Sequence, residues 1–144
     1  MTFSVDPMDV LLPLLRAGLP GVNVFSRVPD PVPDYLPLVV VRRTGGSSDH
    51  PTFIDVPWVN VQCWAARDPE PDGNDAARNA HNLADDVRRV LWTAWANQTV
   101  TDAGWIRRVR ESSAPEEIND PDVPHFGRYQ ATYELWIRKA PELV

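Results

Sequence analysis

Chemistry, if this chain performs any, has few places to reside. His50 stands beside Asp49, His125 lies near Asp122, and an acidic run holds Glu116, Glu117, Asp120 and Asp122. A histidine next to a carboxylate can move protons, and two such pairs brought together could hold a metal ion. The spacing favours neither. The three histidines, His50, His81 and His125, form no HxxxH or HxH pair. The 116–122 run has the oxygen chemistry of a calcium site without the spacing of an EF-hand loop. Asp85 and Asp86 are adjacent on a predicted helix, so they point roughly 100° apart and cannot converge on one proton or cation. Gly45-Gly46 lacks the lysine and helix of a phosphate-binding loop, and no Gly-x-Ser-x-Gly elbow exists. Arg107, Arg108 and Arg110 alternate along a predicted strand, which splits their charges between its faces. These groups read as solvated surface. No catalytic residue, metal or cofactor is expected, and the chain does not read as an enzyme.

Bulk properties narrow the classes further. The 144 residues are 43% hydrophobic and 24% charged, which fits one globular domain spanning 1–144. A chain of this size buries roughly 70% of its unfolded surface. The net charge of −6 disfavours general nucleic-acid binding, which needs clustered cations. The single Cys63 excludes an internal disulfide, and its apolar neighbours predict a buried, inert thiol. The N-terminal "MTFSVDPMDVLLPLLRAG" lacks a basic leader region, and Pro13 breaks its apolar run. No membrane association is expected, and the predicted setting is the cytoplasm or a particle assembled there.

The elements that must position these residues follow from periodicity. Asp6 and Pro7 predict a helix cap and first turn, with Val10, Leu11, Leu14 and Leu15 as its buried stripe. Strands are expected at 22–28, 35–46 and 56–66, with a flexible loop at 45–52. Asp72, Asn74 or Asp75 then caps a long helix near 75–96, with a stripe of Ala76, Ala80, Leu83, Val87, Val90, Leu91 and Ala94. Two more strands are expected at 104–113 and 127–139, separated by an acidic, proline-bearing loop. The order predicts an α+β domain: a mainly antiparallel sheet of about five strands, with the short and the long helix on one face.

Tryptophan supplies the feature that this scheme leaves over. Six are present. In "PWVNVQCWA", Val59, Val61 and Cys63 form an apolar strand face, while the other side carries Trp58, Asn60, Gln62 and Trp64. Trp136 occupies the matching side of the last strand, among Gln130 and Thr132. Large rings with neutral polar neighbours are typical of protein–protein contact surfaces. The competing expectation is that the sheet curls or a loop covers this side, making a second small core.

The strand "VNVQCWA", its proline- and glycine-containing turn, the helix "DAARNAHNLADDVRRVLW" and the closing "YQATYELWIRK" together resemble the tail terminator, or tail completion, proteins of long-tailed bacteriophages. The likeness to these lambda-type neck proteins runs from about residue 6 to 139 and is strongest at 58–92. It implies a structural virion protein of the tail and neck, assembled in the host cytoplasm. Its copies would form a ring, typically a hexamer, that caps the tail tube, stops polymerisation and offers a surface to the head. The implied partners are the chain itself, the tail tube protein and a head–tail connector protein, with DNA only passing through the lumen. On this reading Trp58, Asn60, Gln62, Trp64 and Trp136 are candidate subunit or tube contacts. His50, Phe53, Glu116, Glu117, Asp120 and Asp122 fall on candidate axial loops. Alternatives are another neck component, such as a head-completion or connector protein, a small ligand-binding module on the tryptophan face, or a metal-assisted hydrolase on His50 and His125.

Overall fold

Asp6 and Pro7 open the first helix as their types require. In the computed structural model, which describes residues 5–50, 54–119 and 126–141, helix α1 spans Pro7–Gly18. The Asp6 carboxylate accepts from the Met8 amide at 2.9 Å, satisfying one of the free first-turn donors. Pro13 lies on the exposed side, and its missing N–H leaves the Asp9 carbonyl without its helical donor. Val10, Leu11 and Leu15 are buried. At the helix end the Arg16 guanidinium donates twice to the Val24 carbonyl, at 2.8 and 3.2 Å, tying α1 to the first strand.

The sheet has five strands: β1 (Asn23–Phe25), β2 (Leu38–His50), β3 (Ile54–Ala65), β4 (Gly104–Glu117) and β5 (Gly127–Lys139). Their spatial order is β1-β2-β3-β5-β4. β1 pairs with β2 in parallel, and every other neighbouring pair is antiparallel. Helix α2 (Ala76–Asn97) packs across β3, β5 and β4, with α1 beside it. The expected α+β architecture, with both helices on one face, is what forms.

Alternation decides which residues meet the helices. Val39, Val41, Val59, Val61, Cys63, Ala131, Tyr133, Leu135 and Ile137 join the stripe of α2 in one core cluster. Among the expected caps of α2, Asp75 is the one used, accepting from the Arg78 amide at 2.7 Å. Two close approaches fix the helices. A β-carbon at Gly127 would run into the Ala76 carbonyl, so the start of β5 lies directly under the first turn of α2. At Gly18 a β-carbon would stand 2.6 Å from a methyl of Val90, which sets the approach of the two helices. An ion pair binds the layers laterally: Arg88 on α2 donates to both Glu111 oxygens, at 2.7 and 2.8 Å.

Two expected loops are strand over their first part, among the described residues. The 45–52 segment continues β2 as far as His50, with Gly46 opposite Pro57, Ser47 opposite Val56 and His50 opposite Ile54. Likewise β4 runs to Glu117, placing Glu116 opposite Gln130 and Glu117 opposite Tyr129. His50, Glu116 and Glu117 are therefore ladder residues rather than loop residues. Glycine, serine, proline and glutamate have weak strand propensity, but a neighbouring strand that supplies hydrogen-bond partners overrides it. The β2–β3 arm is also held by Arg43, whose guanidinium meets the buried Asp55 carboxylate at 3.1 Å. β1, by contrast, is shorter than the expected 22–28 strand. Phe53, Asp120, Asp122 and His125 lie outside the described residues.

Candidate functional site: the open face of the sheet

Register carries one set of side chains away from the helices. Arg42, Asn60 and Thr132 align across β2, β3 and β5, as do Val40, Gln62 and Gln130, and Leu38, Trp64 and Arg128. Farther along the strands come Trp58 and Glu134, then Trp136 and Arg108. Trp105 faces Arg138 at the far end of β4. The sequence-predicted set of Trp58, Asn60, Gln62, Trp64 and Trp136 is thus assembled on one surface, the face that no helix covers.

This face is covered over one part and open over the rest. At the β1 corner Leu38 and Val40 are fully buried. Phe25 stands opposite Val40 in the ladder, and its ring meets that of Tyr35 edge-on at 5.7 Å. Gln62, beside Val40, is buried with them at 8% exposure, so it is not the open contact residue that alternation suggested. Elsewhere the face is open: Trp58 is 47% exposed, and Trp64, Trp105 and Trp136 are half-buried.

Arginine is the part that sequence reasoning missed. The Arg128 guanidinium stacks 4.6 Å from the centre of the Trp64 ring, Arg108 4.8 Å from that of Trp136, and Arg138 5.7 Å from that of Trp105. Such contacts contribute about 0.5–1 kcal/mol each at exposed sites. Among the described residues none of these three arginines forms an ion pair. A bulge between Ile106 and Arg108 shifts the register of β4, so that Arg108 and Arg110 share the open face. Arg110 there pairs with Glu134 at 3.3 Å. With Arg42, the face holds five arginines against the carboxylates Glu116 and Glu134. It is a cationic surface on an acidic protein. No single-strand pattern reveals the Trp64–Arg128 pair, because its members are neighbours only once β3 and β5 are in register.

Polar satisfaction is incomplete on this side. Gln62 donates weakly to Asn60 at 3.4 Å, while its Oε1 has no partner. The buried Trp64 Nε1 and Arg128 Nε also lack one. Unpaired buried polar atoms are uncommon in folded chains, and three of them here belong to adjacent open-face positions.

Other groups place chemistry elsewhere or nowhere. Burial and the nearby Asp86 charge push the Cys63 thiol up to about 12, so it carries almost no thiolate at neutral pH. His81 stands edge-on to Tyr129 at 5.4 Å, as a boundary residue of α2. Hydrogen bonds from Arg88, aided by its charge and by the Tyr133 hydroxyl, hold Glu111 below the usual carboxylate range, against burial that works the other way. Among the described residues no group of three or more His, Cys, Asp or Glu is placed to hold a metal ion. No helix among them is long and apolar enough to cross a membrane. Two surface depressions, one of 660 Å³ between α1 and the turn after α2 and one of 390 Å³ beside the end of β3, are not lined by Trp58, Trp64 or Trp136.

Comparison with known families bears on this geometry. A family model described as phage tail termination protein matches residues 4–143. No curated protein matches the chain.

Proposed function

The chain belongs to the phage tail termination protein family, a component of the viral tail, and from that membership we propose that it closes the tail tube as a ring of its own copies. The ring, six-fold on this reading, caps the last tube ring, stops polymerisation and presents its other side to the head–tail connector. It works by recognition alone, with no covalent chemistry and no cofactor, and DNA only passes through its lumen. Assembly takes place in the host cytoplasm.

The match over residues 4–143 carries this reading. The open face supports it, because a ring requires one patch on each copy to fit a different patch on the next. Trp58, Trp64 and Trp136 are the residue type that anchors such contacts, and they sit on rigid strands rather than loops. Asn60 lies among them, while Gln62 acts from beneath. Glu116 and Glu117, on the exposed end of β4, together with His50 at the end of β2, lie where the tube or the connector would dock.

The test is tail length. Particles assembled without this protein and imaged in negative stain should carry overlong tubes of variable length that fail to join heads. Tails of normal, uniform length would overturn the reading. Label on the protein at the tail tip rather than the neck would do the same.

A further inference from the structure

Two exposed features on opposite flanks of the sheet have matching chemistry. β1 stands at one edge of the strand order and β4 at the other. Just before β4 lies the 660 Å³ depression between α1 and the turn after α2. Its apolar lining includes Leu14 and Val100, its charges are Asp9 and Asp102, and no cation lines it. Val100 is 65% exposed, the most open of the large hydrophobic side chains among the described residues. Neither carboxylate forms an ion pair among those residues. Pro13 also lines the depression, and the Asp9 carbonyl that it leaves without a helical donor adds a further acceptor on that wall.

The other flank carries a segment of opposite sign. The strand expected at 22–28 ends at Phe25, so Ser26, Arg27 and Val28 leave the ladder and stand exposed. Arg27 forms no ion pair among the described residues. Of the four large hydrophobic side chains that stand exposed among those residues, Val28 alone follows an arginine in sequence. The base of the connection is tied: the Asn23 side chain donates to the Tyr35 carbonyl at 2.9 Å, and a 3-10 turn closes it at Val32–Tyr35. Pro29, Pro31 and Pro33 fix backbone torsions within it.

We propose that the Arg27–Val28 segment of one copy seats in the depression of the next, with Val28 against Leu14 and Val100 and Arg27 on the acidic rim. The inference rests on the ring reading and names one pair of mating surfaces. Charge selects a second copy as the occupant. The depression offers carboxylates and a bare carbonyl with no cation, and the segment offers a guanidinium with no ion-pair partner. Each surface also exposes a valine that contact would shield from water. The tied base of the segment lowers the ordering cost of association. The two surfaces are different parts of one chain on opposite flanks, so the contact is head-to-tail, the kind that closes into a ring. The segment follows Phe25 at the β1 corner of the open face, so this contact borders the tryptophan surface rather than replacing it.

A charge-exchange cycle tests this at exposed positions, where substitution rarely disturbs folding. One variant carries Arg27→Glu, a second Asp102→Arg, and a third both. Self-association is followed by sedimentation equilibrium, with far-UV circular dichroism checking the fold. Each single change sets like charges together and should weaken association at least about tenfold, and the two together should restore it to within about threefold of the wild type. If Asp102→Arg disturbs the turn before β4, Val28→Glu on the other surface takes its place and should by itself weaken association at least about tenfold. Single changes without effect, or a double variant no better than its parents, would overturn the proposal. So would a wild type that stays monomeric up to about 1 mM. Tail length is a separate readout: overlong tails in particles lacking the protein, with no charge rescue, sink the mating surfaces alone. Charge rescue alongside tails of normal length in such particles sinks the capping function alone.

Discussion

Leu135 and Trp136 are neighbours on β5 and belong to different environments. Leu135 is fully buried under α2, in a layer of aliphatic side chains with a fixed cover. Trp136 lies half-open on the other side, with Arg108 across its ring. One face of the sheet is finished within the chain; the other is built of large rings, guanidinium groups and amides that leave polar atoms unpaired. The contrast separates stability from assembly within one strand. The core face specifies the fold, and the open face can be altered at modest cost to folding because little of it is enclosed.

The largest expected effect follows from this contrast. Leu135→Ala removes buried methyl groups and leaves a cavity that α2 cannot fill, which should cost about 3 kcal/mol or more. Trp136→Ser, one residue on, loses a stacking contact and partial burial, and should cost about 1 kcal/mol in the monomer. Its damage should appear instead in self-association. Urea unfolding measures the first quantity and sedimentation the second. Equal destabilisation by both variants would show that the open face is a second core, and the contrast would collapse.

The boundary between the faces is sharpened by the Arg88–Glu111 pair, which clamps α2 to β4 and so belongs to the finished side. Glu111→Gln should lower stability at pH 7 by about 1–2 kcal/mol, reduced by the exposure of Arg88. The folded-state carboxyl sits below its usual range, so its contribution is present above the unfolded value near about pH 4.3. It is lost as pH falls through the folded value, where the wild type becomes protonated too. The gap between wild type and variant should therefore close in acid. A gap that does not narrow at all as the pH falls below about 4.3 would mean that the pair acts through shape rather than charge.

The finished side was legible in the sequence and the open side only in part. Val59, Val61 and Cys63, and the alternate residues from Tyr129 to Ile137, announce themselves because burial on one face forces a period of two. The α2 stripe does the same at helical spacing. The ends of β2 and β4 did not, because Gly45, Gly46 and Ser47, or Ala114, Pro115 and Glu116, are weak strand formers held by a partner strand. The tryptophans on the open side were visible. The arginines stacked on them were not, since Trp64 meets Arg128 and Trp105 meets Arg138 through pairing between distant segments. Nor does alternation tell that Gln62 is buried while Trp58 is exposed.

That last distinction yields the smallest stability effect and the finest cut between regions. Trp58 and Trp64 sit on the same face of β3, yet only Trp64 is flanked by a stacked arginine and the closed corner. Trp58→Ser should change unfolding stability by no more than about 0.5 kcal/mol, the range of an exposed substitution. Trp64→Ser removes the ring under Arg128 and opens the corner near Leu38, so about 1–2 kcal/mol is expected. Both should weaken self-association more than folding. If Trp64→Ser unfolds the chain outright, the closed corner extends across Trp64 and the docking surface shrinks to Trp58, Trp136 and the β4 arginines. If Trp58→Ser leaves association untouched while Trp64→Ser reduces it, the contact is centred on Arg128.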